Sequence, residues 1–336
     1  MVYGLAAARL RRPLNPAGGL DELVRAATLA ANSHNTQPWR FRHTDDGLAV
    51  APDPQRRCPV VDPDDHHLWI SLGCALENLV RAAPVLGRHA EPEVAGDGTT
   101  VVHLAPTAAV SPARAAPILA AQCTRRIFAG GTIDPAVRTA LLQAAAGDGV
   151  EVIYEDDAAA RAELADLVVE AERRQLADPA FRAELFTWMR CTDVEAERSG
   201  DGLSGRVMGV PALPRAAVRA LLPLILHPRL QADRRRRELA SSSGLAVFVG
   251  VGETPRAWLA VGRSYQRFSL AAAELGLRHA FVNQPLEVAA CRPALARWAG
   301  VAGARPDLAV RLGWGPAAPY SLRRPVDAVL TGRSVG

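Results

Sequence analysis

Apolar residues recur at helical spacing in two long stretches of the chain. Over 64–87 the stripe is Leu68, Leu72, Leu76, Leu79, Ala83 and Leu86; over 255–276 it is Trp258, Val261, Tyr265, Phe268, Ala272 and Leu275. Positions three and four apart share one face of an α-helix, so each stretch predicts a long helix with one buried side. Each closes on a glycine, Gly87 and Gly276, the residue that most readily takes the left-handed conformation past a helix end. The two stretches align without a gap. Gly73 falls on Gly262, Ala82 on Ala271, Ala83 on Ala272, Leu86 on Leu275 and Gly87 on Gly276, all at an interval of 189 residues.

A second pair supports the first. Asp21-Glu-Leu-Val24-Arg25-Ala-Ala27 matches Asp134-Pro-Ala-Val137-Arg138-Thr-Ala140 at an interval of 113. The chain therefore reads as two related halves, 1–111 and 112–336, and the second carries the 76 residues by which the two intervals differ. Short apolar or β-branched runs bounded by Gly, Asp or Pro predict strands at Leu48–Ala51, Thr100–Leu104, Val150–Tyr154, Leu245–Val249 and Leu308–Leu312. Helices outnumber strands and are long, which points to an α+β fold, a sheet layered with helices. The extra residues of the second half cluster at about 192–240, a stretch rich in Gly and Pro that still carries Leu203, Val207, Met208 and Leu221. Two readings of it stand: a lid over a site, or a helical insert packed outside the domain.

Composition narrows the classes. All 39 basic residues are Arg and none is Lys, so abundant Arg carries little functional information here. Net charge is +4 with 35 acids spread along the chain, unlike the concentrated basic face that nucleic-acid binding requires; Arg234–Arg237 runs straight into Glu238 and reads as a solvated helix face. No apolar run approaches the ~20 residues of a membrane span, and no leader pattern opens the chain, so a cytoplasmic protein is expected. The five cysteines form no CxxC pair, which disfavours a zinc knuckle or a dithiol redox motif.

The most distinctive run is Ser33-His34-Asn35-Thr36-Gln37-Pro38-Trp39-Arg40-Phe41, between a helix and a strand. Hydroxyl and amide side chains offer donors and acceptors without charge, which suits a heterocycle with alternating N–H and C=O groups. A plain turn ending in a buried Trp fits the same residues. Other motifs are weaker. Gly250-Val-Gly252 follows a strand, but Pro255 breaks the GxGxxG pattern. Asp62-Pro-Asp-Asp65-His66-His67 has metal-ligand residue types. Adjacent His residues at a helix start point about 100° apart, so the acids read as helix N-terminal residues and no metal is expected. Neither a GxSxG elbow nor a GxxxxGK[ST] loop occurs.

The run resembles the loop of nitroreductase-family flavoproteins in which a Ser/Asn turn precedes Gln-Pro-Trp. The resemblance extends along the chain through ISLGCALENL at 70–79, TRRIF at 124–128, ELFTWMR at 184–190, DGL at 201–203, RLGWG at 311–315 and RRPV at 323–326. It is similar to the fused, double-length subgroup of stress- and dormancy-associated bacterial proteins. It implies a nitroreductase-like fold in which two tandem half-domains form an intramolecular pseudo-dimer and hold FMN between them. Where the loop would recur, the second half has only Ala144-Ala-Ala-Gly147-Asp148-Gly149. A single FMN is therefore expected, with the first half giving the loop and the second the grip. By resemblance, Ser33, Asn35 and Gln37 contact the flavin; Thr124, Arg125 and Arg126 form the grip, with Gln122 where the family has Arg. Ala280 or Phe281 presents a backbone N–H to flavin N5, and Arg323 and Arg324 hold the phosphate. Read alone, that Arg pair is more often a solvated surface pair.

The implied activity is an FMN-dependent oxidoreductase passing hydride from a donor such as NAD(P)H, through N5, to a small molecule. No catalytic acid or base is named. The alternatives are an FMN-sequestering protein without catalysis and a flavin dehydrogenase of a secondary metabolite. The chain is expected to be a monomer or homodimer.

Overall fold

Both apolar stripes form helices, and the two helices pack on each other. The structure, a computed structural model, describes residues 2–332. In chain order, α1 (Val2–Leu10) and α2 (Gly19–Thr28) precede β1 (Trp39–His43) and β2 (Gly47–Pro52), followed by α3 (His66–Ala82), β3 (Arg88–Val94) and β4 (Thr100–Pro106). Next come α4 (Ala116–Ala120), α5 (Pro135–Ala145) and β5 (Glu151–Glu155). A long excursion holds α6 (Ala158–Ala177), α7 (Pro179–Trp188), β6 (Met189–Arg190), α8 (Asp193–Ser199), β7 (Leu203–Ser204), α9 (Gly205–Met208), α10 (Arg215–Ile225) and α11 (Pro228–Ala240). The chain continues through β8 (Gly244–Val249), α12 (Pro255–Glu274), β9 (Arg278–Phe281), α13 (Gln284–Glu287), α14 (Arg292–Trp298), β10 (Leu308–Gly313) and β11 (Leu330–Thr331).

Two antiparallel sheets have the same plan. One runs β1-β2-β4-β3 and the other β5-β8-β10-β9. In each, a helix precedes the first strand (α2, α5) and a long helix joins the second to the third (α3, α12). The C-terminal β11 then crosses to the first sheet and pairs in parallel with β1, Phe41 opposite Leu330.

The crossing of α3 and α12 is reciprocal. A Cβ added to Gly73 would lie 2.1 Å from the Leu259 carbonyl oxygen, and one added to Gly262 would lie 2.0 Å from that of Ile70. Leu259 and Ile70 stand 189 residues apart, as Gly262 and Gly73 do. Each glycine therefore accepts the other helix's backbone at the equivalent place, the contact pattern of a two-fold interface. Asn78 and Arg267 keep the same interval and the same task. The Asn78 amide donates to the Ala26 carbonyl near the end of α2, while the Arg267 guanidinium donates to Ala144, Ala145 and Ala146 at the end of α5.

The sheets differ in how they are covered. All six residues of β8 and of β10 are buried. Ala246, Phe248, Val310 and Leu312 belong to the main core with α3 and α12, while Leu245, Val247, Val249 and Ala309 belong to a second core with Leu164 and Val168 of α6 and Leu239 of α11. Alternate side chains of a strand face opposite sides, so a strand buried throughout has both faces covered. The excursion between β5 and β8 supplies that cover, and it begins at α6, ahead of the 192–240 stretch singled out in the sequence. By contrast, α10 exposes Leu221, Leu224 and Ile225 and buries only Val218.

Candidate functional site

The loop after α2 is held in an unusual conformation. His34, Asn35 and Gln37 have φ of 47°, 54° and 55°, a region that side chains other than Gly adopt at a cost and that clusters where a site is pre-organised. Its hydrogen bonds fix it. Asn32 Oδ1 accepts from Gln37 N at 2.9 Å, Gln37 Nε2 donates to the Gly200 carbonyl at 2.8 Å, and Gln37 Oε1 accepts from Arg324 N at 2.9 Å. The Asn35 amide donates to the carbonyls of Gly202 and Leu322. The loop thus ties the excursion near Gly200–Gly202 to the C-terminal segment. Asp201 reinforces the tie by pairing with Arg56, which also donates to the Thr36 carbonyl, and with Arg190.

Beside this loop lies an open-mouthed cleft with an interior of about 80 Å³. Asn32 and Asn35 form one edge; Gln122, Cys123 and Arg125 another; Tyr265, Gln266, Ser269, His279 and Phe281 the floor; and Leu203 and Val207 of the excursion reach it. Arg11, Tyr320 and Arg323 also line it, and among the described residues the lining contains no Asp or Glu.

Several polar groups here are buried without a partner among the described residues: Gln122 Nε2, Gln266 Oε1 and Arg11 Nη1. The amide orientations follow from their networks. Gln122 Oε1 accepts from Ala318 N at 2.7 Å and from Thr124 Oγ1, so its NH2 faces elsewhere. Asn78 Oδ1 accepts from Gln266 Nε2 at 2.8 Å, which leaves the Gln266 oxygen free. The Arg11 guanidinium stacks 4.0 Å from the Tyr320 ring centre. An unmet buried polar group costs about 1–3 kcal/mol unless a water or a ligand meets it.

Burial sets the titration of the site. It pushes His279 down to about 4, with Arg278 adding to the effect, and Tyr265 up. His279 is therefore neutral near pH 7, and its Nε2 lies within hydrogen-bond distance, 2.7 Å, of the Tyr265 hydroxyl. His34 is pushed to about 4, by burial first and then by Arg125.

Of the residues named from sequence, Asn35, Arg125, Phe281 and Arg323 line the cleft. Thr124 is fully buried beside it, its N–H donating to the His279 carbonyl. Ala280 is buried in β9 opposite Arg311. Ser33, Gln37, Arg126 and Arg324 lie outside the lining. Ser33 N donates to Ser71 Oγ, Arg126 is exposed, and Arg324 donates to the Ala328 carbonyl.

Arg323 departs from its expected role. Nε donates to Thr28 O; Nη1 to Asn35 Oδ1 and Leu322 O; Nη2 to Leu29 O and Ala30 O. All five N–H donors of a guanidinium are thus committed to protein oxygens, which leaves none for a phosphate. A cation at the end of α2 meets the free carbonyls and the negative end of the helix dipole. The residues not anticipated as ligands are Arg11, Gln266 and His279. Gln266 gave no signal in the sequence, since it falls about 100° round α12 from Tyr265 and off the apolar stripe.

No protein-family model matches the chain. It is 29% identical over 302 residues to the Mycobacterium tuberculosis protein named "Putative NAD(P)H nitroreductase Rv3131", covering 86% of this chain and 83% of that one. It is 26% identical over 326 residues to "Putative NAD(P)H nitroreductase acg" of the same organism, covering 92% and 94%. Among solved structures it is similar to the FMN-dependent nitroreductase NfnB from Mycobacterium smegmatis in complex with NADPH, at 14% identity and a TM-score of 0.37, over 64% of this chain and 90% of that one.

Proposed function

We propose that this chain is a nitroreductase-like, FMN-dependent oxidoreductase in which two fused halves form a pseudo-dimer around a single flavin in the cleft. The carrying observation is the set of unpartnered buried groups, two donors (Gln122 Nε2, Arg11 Nη1) and one acceptor (Gln266 Oε1), drawn from both halves into one cleft. A flavin's pyrimidine edge alternates C=O and N–H and meets the Gln122 donor and the Gln266 acceptor. Tyr265, Phe281, Leu203 and Val207 offer apolar surface for its rings. Arg11 and Arg125 offer positive charge for a phosphate, since Arg323 is committed elsewhere. The near full-length likeness to curated NAD(P)H nitroreductases agrees with this reading.

The place related to the cleft by the repeat supports one site rather than two. Glu77 stands where Gln266 stands in the other half and pairs with Arg81, Arg263 and Arg267, and Arg267 also pairs with Asp148. Ion pairs fill the position that a second flavin would need.

When bound, FMN would supply hydride transfer between a nicotinamide donor and an acceptor. The chain's own part is to bind and orient. Gln122 and Gln266 fix the ring's edge, Arg11 and Arg125 favour anionic groups, and the lining's lack of carboxylates keeps the field positive. Leu203 and Val207 of the excursion, both in the cleft's lining, favour a second reading, flavin held under cover. Purified protein should show a flavin spectrum that anaerobic NAD(P)H bleaches. A colourless protein that takes up no added FMN removes the reading. Fast bleaching by dithionite with none by NAD(P)H selects the sequestering alternative.

A further inference from the structure

Away from the cleft, the start of α3 carries a buried cluster that the flavin reading does not use. We propose that Asp62, His66 and His67 form a binding site for one borderline divalent transition-metal cation of the Zn2+ class. All three residues are buried, and one ligand atom from each lies within 4.8 Å of the other two. A cation placed among such atoms is at most about 2.8 Å from every one, so side-chain shifts of about 0.7 Å reach the 2.0–2.2 Å of metal–nitrogen and metal–oxygen bonds. Adjacent histidines at a helix start are expected to diverge, yet these ring centres are only 4.7 Å apart.

The surroundings are organised as metal ligands require. His67 is 94% buried, being 6% exposed, and its Nε2 has no hydrogen-bond partner among the described residues. His66 Nε2 is 2.8 Å from Asp307 Oδ1, and Asp307 Oδ2 in turn accepts from Gly250 N at 2.7 Å. That contact orients the imidazole and leaves its other ring nitrogen for a metal, as in the carboxylate–histidine–metal pattern in which an outer carboxylate holds the ring. The Asp62 carboxylate accepts from His67 N at 3.0 Å and Leu68 N at 2.9 Å, which sets its direction and leaves further lone pairs. Two imidazoles and one carboxylate select Zn2+, Co2+ or Fe2+ over Mg2+ or Ca2+, which prefer all-oxygen sites. The site sits where the first half meets Asp307 of the second. It touches the loop as well, since Ser71 Oγ donates to His67 O and accepts from Ser33 N.

The test is a Co2+ titration of the untagged full chain, as purified and dialysed against a chelator. It is followed in the visible ligand-field region, with elemental analysis after Zn2+ loading. One metal ion per chain is expected, with His67→Ala weakening binding by tenfold or more. Asp307→Asn should weaken it roughly 10–100-fold, as loss of an outer-sphere partner does. No ligand-field bands in wild type at millimolar Co2+ overturns the site whatever the variants do. So do bands that both variants leave unchanged, or near-ultraviolet sulfur charge transfer showing that cysteines take the metal. Wild type alone decides if a variant fails to fold, and the outcome is independent of whether flavin binds.

Discussion

Alanine at Gly73 or Gly262 strikes the crossing of α3 and α12. The new Cβ at 73 would sit 2.1 Å from Leu259 O and 3.0 Å from Gly262 Cα; at 262 it would sit 2.0 Å from Ile70 O and 3.0 Å from Cys74 N. The obstructing atoms are backbone, so no rotamer relieves them, and α3 and α12 must separate by about 1 Å. A gap of that size forfeits a quarter to a half of each dispersion contact across it, and Leu72, Leu76, Val261, Tyr265 and Phe268 are buried in that core. We take about 3 kcal/mol as the loss, at the upper end for overpacked cores, offset by about 1 kcal/mol from replacing helical Gly with Ala. Each variant should therefore lose about 2 kcal/mol in urea unfolding. Because either substitution alone parts the helices, the double variant should lose clearly less than the sum. Gly4→Ala, in α1 with nothing within 4 Å of the added carbon, is the control and should be neutral or mildly stabilising. Single variants as stable as wild type, or a fully additive double, would refute the reciprocal packing.

Three further outcomes follow from the cleft. Arg323→Ala leaves four backbone carbonyls and the Asn35 oxygen short of a donor, so it should destabilise the chain by about 3–5 kcal/mol and weaken FMN and riboflavin alike. A selective loss of FMN in a stable protein would restore Arg323 as the phosphate ligand. Arg11→Ala should instead weaken FMN at least tenfold more than riboflavin in side-by-side fluorescence titrations, a charge-assisted contact being worth about 1.5–3 kcal/mol; equal losses count against it. His279, held down at about 4 by burial, is protonated in the unfolded chain below about 6.5. The stability it contributes is whole above that pH and is lost as pH falls towards 4. His279→Gln should flatten the acid limb of the unfolding curve by about 3 kcal/mol, and parallel limbs for wild type and variant would contradict this.

The elements legible in the sequence were those whose pattern is local and two-sided. The stripes of α3 and α12 and the apolar runs of β2, β4, β5, β8 and β10 all gave their positions. β3 was missed because Arg88-His-Ala-Glu-Pro-Glu-Val is an exposed edge with little to bury. β1 was missed although Trp39 and Phe41 are buried between exposed or half-buried neighbours, its alternation overshadowed by the loop before it. The two residues of β11 pair across nearly the whole chain with β1, which no local pattern reports. The SHNTQPW run lies beside the cleft, with Asn35 in its lining. Its amides, though, bond mainly to backbone at Gly200, Gly202 and Leu322, because a buried amide satisfies whichever partner the fold brings, and that partner is distant in sequence. Arg323 shows the same limit. A basic residue after the last long strand reads as a phosphate ligand until the five oxygens around it are seen.

Native mass spectrometry of the flavin-loaded protein, across a dilution series that dissociates any dimer, tests most directly whether one chain builds one flavin site. The account predicts that the single chain persists with one FMN bound at every dilution. Two FMN per chain, or a single chain that sheds its flavin as a dimer dissociates, would contradict it.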